Sequence, residues 1–180
     1  MCTIKDVAAL SGYSFTTVSH VINRSRPVSE KARRAVEAAM EQLHYVPSGI
    51  ARSLRQRATC TVGVLLVNST HPFFAELGRG IEEVCLARGY SVMLCNSYDD
   101  AARQETYLRT LVEKRVDGLI VAAVGEPADT ARQLAAVRVP VVLIDRPVPS
   151  VQADTVMVDN ERAGYLAARH LLDAGHREVG

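Results

Sequence analysis

Over the first 46 residues apolar side chains recur with a helical period, and from residue 61 the rhythm changes to short unbroken apolar runs separated by amphipathic stretches. Ile4, Val7, Ala8 and Leu10 share one helical face, and Gly12 in "SGY" interrupts it before Ser14 caps a second helix. That helix runs through "FTTVSHVIN" with Val18, Val21 and Ile22 as its buried side. "RSRPV" breaks the chain again, and Ser29 caps a third helix, "EKARRAVEAAMEQLHY", whose Ala32, Val36, Ala39, Met40 and Leu43 keep one face. Small Ala8 at the crossing, Gly12 at the turn and Val18 and Val21 on the second helix give the first pair the spacing of a helix-turn-helix.

Beyond residue 60, "TVGVLLV", "SVMLCN", "DGLIVAA", "PVVLID" and "TVMV" read as strands. Helices are predicted over 73–88, 101–114, 128–137 and 160–174 between and after them. Continuous apolar strands alternating with helices predict an α/β domain, a parallel sheet covered on both faces. Between the halves lies "PSGIARSLRQ", residues 47–56, where Ile50, Ala51 and Leu54 alternate with Arg52 and Arg55. A plain linker is Gly/Ser-rich and needs no Leu54, while an autonomous helix needs about 12–15 residues to overcome its nucleation cost. The chain is therefore expected to consist of an all-α headpiece over 1–46, a hinge and linker over 47–60, and an α/β domain over 61–180.

With 48% hydrophobic and 23% charged residues the composition is globular, and no window approaches the apolar run of a membrane span. "MCTIKDVAAL" lacks the basic-then-apolar order of a signal peptide, so the expected location is the cytoplasm. Cys2, Cys60, Cys85 and Cys95 match no metal or redox spacing and read as reduced thiols. Net charge is +1, but it divides unevenly: residues 1–60 hold nine Lys/Arg against four Asp/Glu, and residues 61–180 hold twelve against sixteen. A basic first third suits a polyanionic partner. Catalytic chemistry is not visible. "GRG" at 78–80 lies in a predicted helix, no G-x-S-x-G occurs, and the five histidines sit on separate elements without metal-ligand spacing. No catalytic residue, metal or cofactor is expected.

The second helix exposes Phe15, Thr16, Thr17, His20 and Asn23, mostly hydrogen-bonding side chains of major-groove length, with Arg24 and Arg26 just beyond. An ordinary polar surface is the alternative for that face. In the α/β domain, ligands bind beyond the carboxyl ends of the strands, so the loops after Val67, Asn96, Ala122 and Ile144 matter. The first, "NSTHPFF", places Asn68, Ser69 and His71 beside Phe73 and Phe74, and the fourth delivers Asp145 and Arg146. Bidentate acceptors and donors with aromatic walls suit a carbohydrate. A surface ion pair for Asp145 and Arg146, and a core role for Phe73, are the alternatives.

The stretch "TIKDVAALSGYSFTTVSHVINRSRPVSEKARRAVEAAMEQLHYVPSGIARSLR" resembles the DNA-binding headpiece of the lactose-repressor/galactose-repressor family of bacterial transcription regulators. "TVSHVIN", "VSE" and "LHYVPSGIARSL" are most similar to its purine and ribose repressors. Two positions depart: Phe15 stands where a small polar residue is usual, and Tyr13 where a small aliphatic is. The resemblance implies that 47–56 folds into a hinge helix on a near-palindromic operator, paired with its twin in a homodimer. Leu54 would then wedge into the minor groove, with Arg52 and Arg55 on phosphates. Docking against the following domain is the alternative for Leu54.

"VGVLLVNSTHPFFAELGRGIEEVCLARGYSVMLCNS", "KRVDGLIV" and "PVVLIDR" resemble the effector-binding core of the same repressors, itself similar to periplasmic sugar-binding proteins. This likeness implies ring-stacking for Phe73 and Phe74 and hydroxyl binding for Asp145 and Arg146. Asn68 and His71 are expected beside them, although ribose-type pockets carry Asn where His71 precedes the proline. Family members continue past "GHREVG", so the chain is expected to be a truncated form with an incomplete periplasmic-binding-protein-like domain. The expected function is a sequence-specific, nucleoid-associated repressor controlled by a sugar such as ribose. A purine- or nucleoside-responsive repressor, a soluble sugar-binding protein and an α/β enzyme are the rivals. Leu54→Ala is expected to cut affinity for operator DNA while leaving binding to random DNA nearly unchanged in fluorescence anisotropy titrations. Equal loss on both DNAs removes the wedge assignment.

Overall fold

The computed structural model describes residues 2–23, 25–47 and 58–178, and the chain divides into two compact units, Met1–Arg55 and Gln56–Gly180. Arg24, Arg52, Leu54 and Arg55 lie outside the described residues.

The first unit holds α1 (Ile4–Ser11), α2 (Phe15–Asn23) and α3 (Glu30–Gln42). At the start of α1, Asp6 Oδ2 accepts from the Thr3 backbone N–H at 2.7 Å and from its hydroxyl at 2.9 Å. These bonds, the backbone N–H foremost, hold the Asp6 carboxyl below the ordinary carboxylate value. Gly12 ends the helix with φ 72°, the left-handed conformation that glycine adopts without a Cβ clash. Ser14 Oγ then accepts the Thr17 N–H at 3.2 Å, and Ser29 Oγ accepts the Ala32 N–H at 3.3 Å, so each following helix starts on a serine.

The third helix stops short of the predicted Tyr45. His44 turns left-handed at φ 46°, its N–H bonds Glu41 O at 3.0 Å, and the Tyr45 N–H returns to Met40 O at 2.8 Å. This is a Schellman ending with histidine in the glycine position. It turns Tyr45 onto the core. Val7, Val18 and Val36 are fully buried and Ala39 nearly so, ringed by Ile4, Ala8, Tyr13, Ile22, Met40, Leu43 and others.

The second unit is a five-stranded sheet in the order β2-β1-β3-β4-β5, with every neighbouring pair parallel. Its strands are β1 (Thr61–Leu66), β2 (Ser91–Asn96), β3 (Gly118–Ala122), β4 (Val141–Ile144) and β5 (Asp154–Val156). The helices are α4 (Pro72–Ala87), α5 (Ala101–Glu113), α6 (Pro127–Ala135) and α7 (Asn160–Asp173). β1 alternates between two cores. Leu65 joins Leu108 and Leu111 of α5 and Leu134 of α6, whereas Val64 and Leu66 join Phe74, Leu77 and Ile81 of α4. At Gly63 a Cβ would sit 2.6 Å from Leu119 Cδ2 and 3.1 Å from Leu111 Cδ1, so the missing side chain lets α5 close on β1.

Helices cover both faces, as the unbroken apolar strands predict. Among the described residues, however, α7 packs on no other element, and its Tyr165, Leu166, Leu171 and Leu172 stay exposed. No described helix is long and apolar enough to cross a membrane.

A buried polar knot ties α5 and α6 to the end of β3. Gln104, fully buried, accepts the Val124 N–H on Oε1 at 3.0 Å and donates from Nε2 to Gln133 Oε1 at 2.8 Å. Thr130 Oγ1 donates to Val124 O at 2.9 Å, and Gln133 Nε2 donates to Ala101 O at 3.2 Å. The N–H and C=O of buried Val124 are thereby both satisfied within the fold.

Two outcomes follow. Gln104→Leu strands the Val124 N–H and is expected to lower the unfolding free energy of the α/β unit by about 1–3 kcal/mol in urea titration. No change would mean that water satisfies that amide. For Asp6 the folded value lies below the unfolded one, so its stabilisation is present above the ordinary carboxylate value and is lost as pH falls through the lowered one. Thermal melts of the chain and of Asp6→Ala, followed on the helical unit, should differ at neutral pH and converge in strong acid.

Candidate functional site

In the helical unit the candidate surface is built on α2. Phe15 at the first turn is 47% exposed and Thr16 is exposed beside it. Thr17 is half-buried, with its hydroxyl 3.0 Å from Ser14 Oγ, so it serves the helix start. His20 sets Nδ1 2.8 Å from Ser25 Oγ, which orients the ring; Nε2 bonds none of the described residues. Asn23 turns back on its own helix and donates Nδ2 to Ser19 O at 2.7 Å and to Ser19 Oγ at 3.2 Å. Arg26 is exposed.

Past the end of α2, a cleft of about 530 Å³ gathers His20, Ser25 and Arg26 with Arg33 of α3. Arg33 is held only loosely, 3.9 Å from Glu30 on the same exposed helix face. Sequence reasoning assigns Arg33 to the third helix without a role. The basic run "KARR" is the signal that it carries.

The candidate ligand edge of the α/β unit is the carboxyl end of its strands, with the loops after β1 and β3 flanking the point where the strand order reverses. After β1, Asn68 Oδ1 accepts from the Thr70 N–H at 3.0 Å and its hydroxyl at 2.7 Å, closing a local turn. The Ser69 N–H reaches across to Asn96 Oδ1 at 2.7 Å, which locks the loops after β1 and β2 together. His71 precedes Pro72 at the start of α4 and is exposed.

The two phenylalanines play different parts. Their rings meet edge to face, centroids 5.0 Å apart at 74°, and His71 lies 6.1 Å from the Phe74 ring. Phe74 is half-buried against Leu66, Ala122 and Ile144, at the ends of three strands. Phe73, 40% exposed, lines an open apolar groove along α4 with Leu77, Ile81, Val84 and Ile120. One aromatic is therefore wedged into the edge and the other lies along the flank.

At the end of β4, Asp145 takes φ 68°, a left-handed conformation that aspartate tolerates better than most residues. Its N–H bonds Val156 O at 3.0 Å. Arg146 is exposed, and neither side chain forms an ion pair among the described residues. The alternative of a surface pair between them is not realised. A left-handed residue at a strand end is strain of the kind that gathers at binding sites.

Residues 59–179 match the family model for periplasmic binding proteins and the sugar binding domain of the LacI family, and residues 3–48 match that for bacterial regulatory proteins of the lacI family. The chain belongs to the LacI family. It is 45% identical over 181 residues to the HTH-type transcriptional repressor PurR of Photobacterium profundum, covering 100% of this chain and 54% of that protein. The crystal structure of the lac repressor dimer bound to operator and the anti-inducer ONPF superposes with TM-score 0.87 at 28% identity, over 98% of this chain and 54% of that one. A LacI transcriptional regulator from Alkaliphilus metalliredigens QYMF complexed with D-xylulofuranose gives TM-score 0.56 at 31% identity, over 66% of this chain and 42% of that one. The chain spans about half the length of the curated relatives it matches.

Three further residues of this LacI-family chain shape the ligand edge without announcing themselves in the sequence. Asn96 is a strand residue whose amide serves a loop 27 positions earlier. Tyr98 and Asp99 follow it in consecutive left-handed conformations, φ 53° and 61°, with the Arg103 guanidinium 5.2 Å from the Tyr98 ring centroid. No local pattern predicts two successive non-glycine residues with positive φ.

Proposed function

We propose that this chain serves a sequence-specific transcription repressor of the LacI family, with residues 1–46 reading operator DNA, 47–60 forming the hinge and 61–180 sensing a small-molecule effector. The observation that carries the reading is the exposed start of α2: Phe15 and Thr16 stand outward on a serine-capped helix inside a helix-turn-helix. Such a helix lays its first residues against base edges in the major groove. Phe15 would touch a thymine methyl, and Thr16 and His20 would hydrogen-bond bases. Arg26, and Arg52 and Arg55 of the hinge, would supply salt-dependent contacts to phosphates. Thr17 and Asn23 would act chiefly by holding α2 in shape, since their polar atoms are engaged locally. A homodimer on a near-palindromic site, working in the cytoplasm without catalysis, completes the reading.

For the effector, a sugar such as ribose is supported by Asp145 and Arg146 at the strand edge, which form no ion pair among the described residues, and by the matched sugar-binding family model. Phe74 would give the ring its flat wall, with Asn68, His71 and Phe73 bordering it. A purine base or nucleoside is the second reading. The 45% identity to a repressor named PurR over the whole chain favours it, as does His71 in place of the usual asparagine.

One experiment addresses both parts. Selection of a randomised duplex library on the protein should enrich a near-palindromic sequence, and calorimetric titration of ribose and of hypoxanthine should then be run with and without that duplex. Ribose binding weakened by the duplex is the expected result for an inducible sugar repressor. Hypoxanthine binding tightened by it would identify a purine corepressor and overturn the sugar reading. No enrichment even at low salt would overturn the DNA-binding reading itself.

A further inference from the structure

Ala58 is the first residue described after 48–57, and any pull that the α/β unit exerts along the backbone toward the helical unit passes through Thr59. Thr59 is fastened at this point. Its N–H donates to Asp117 Oδ1 at 2.8 Å, and its hydroxyl is shared between Arg115 O at 2.8 Å and the same Oδ1 at 3.1 Å. In return the Asp117 N–H donates to Thr61 O at 2.8 Å, and the Ser91 N–H bonds Cys60 O at 2.8 Å. Residues 59–61 are thus held from both sides, by the start of β2 and by the turn leading into β3.

Two features show that this arrangement is not a relaxed default. Cys60 adopts left-handed backbone, φ 51°, and a non-glycine residue stays there only where its surroundings hold it; Arg115, φ 59°, closes α5 in a Schellman turn as His44 closes α3, with the Val116 N–H on Leu111 O at 3.3 Å. Asp117 Oδ2 is buried with no hydrogen-bond partner among the described residues, although buried polar atoms are nearly always satisfied. Asp117 lines a cleft of about 420 Å³ with Ala58, Tyr90 and Val139. A carboxylate that holds Thr59 through one oxygen, with the other buried and without a partner among the described residues, points to a role beyond filling the fold.

That role follows from β3. Asp117 immediately precedes it, and Val124, just past its far end, is seized by buried Gln104. Between those points the strand is hydrogen-bonded to β1 on one side and β4 on the other, which makes it a stiff rod between its two ends. One end of the rod lies on the candidate ligand edge and the other holds Thr59.

We propose that the Thr59–Asp117 clasp couples β3 to the linker, making Thr59 and Asp117 positioning residues for DNA binding. The inference rests on the DNA-binding reading above. The test uses the full chain with the duplex enriched by selection and a random duplex as control, read by hydrogen exchange and by anisotropy. In the wild-type chain the enriched duplex should slow exchange over 58–61 and 115–118, and the random duplex should not. Thr59→Val should abolish that response and weaken enriched-duplex binding about five- to tenfold, with random-duplex affinity and the melting temperature of the α/β unit unchanged. Thr59→Ser, which keeps the hydroxyl, should restore both. Asp117→Ala serves as the second variant and should match Thr59→Val in DNA binding if it folds. Enriched-duplex binding with no exchange response in the wild type, or undiminished in Thr59→Val, overturns the clasp alone. Failure to enrich any duplex overturns the DNA-binding reading and the clasp with it.

Discussion

All strands of a parallel sheet point the same way, and in this chain that constraint sorts chemistry to opposite edges of one small unit. The carboxyl ends of β1, β3 and β4 carry Asn68, Phe74, Val124 and Asp145, while the amino ends carry Thr59, Thr61 and Asp117. Parallel pairing also requires both faces to be covered, because each crossover sends a helix to one face or the other. β1 meets the requirement by sending Leu65 to the α5–α6 side and Val64 and Leu66 to the α4 side. Where a loop end would otherwise bury bare amides, Gln104, Thr130 and Gln133 supply the missing partners.

The helical unit depends on a different economy. Its buried apolar core is three valines and two near-buried alanines, a small apolar payload for three short helices. Local devices carry much of the definition: the Thr3–Asp6 pair, serine caps on α2 and α3, left-handed Gly12, and the Schellman turn at His44 that folds Tyr45 onto the core. These turn short segments into helices with fixed ends. The exposed start of α2 is thereby presented on a rigid element rather than a loop.

Polar side chains at the two candidate sites fall into groups that are already engaged and groups that are not. Thr17, Asn23 and Asn68 spend their hydrogen bonds on neighbouring chain, and Asn96 spends its own on Ser69. Thr16, Arg26 and Arg146 remain exposed, and Asp145 and Arg146 form no ion pair among the described residues. A residue that holds geometry and a residue that meets a ligand often have the same chemistry. Partners, not residue types, separate them here.

Much of the fold was legible in the chain alone, because periodicity, caps and turn residues are local: α2 matches its predicted span, and strand positions fall where apolar runs predict them. The early end of α3 was not legible, since it depends on a histidine accepting the conformation that glycine usually takes. Phe15 and Asp145 stand out from sequence by type and place. The division of Phe73 from Phe74, the left-handed turns at Tyr98, Asp99 and Asp145, and the bonds of Asn96, Gln104 and Thr59 join residues 20 to 58 positions apart or depend on backbone angles. Sequence determined which elements form and which faces they bury; tertiary structure decided which polar side chains are engaged, because a hydrogen bond between distant residues exists only once packing brings its two ends within about 3 Å.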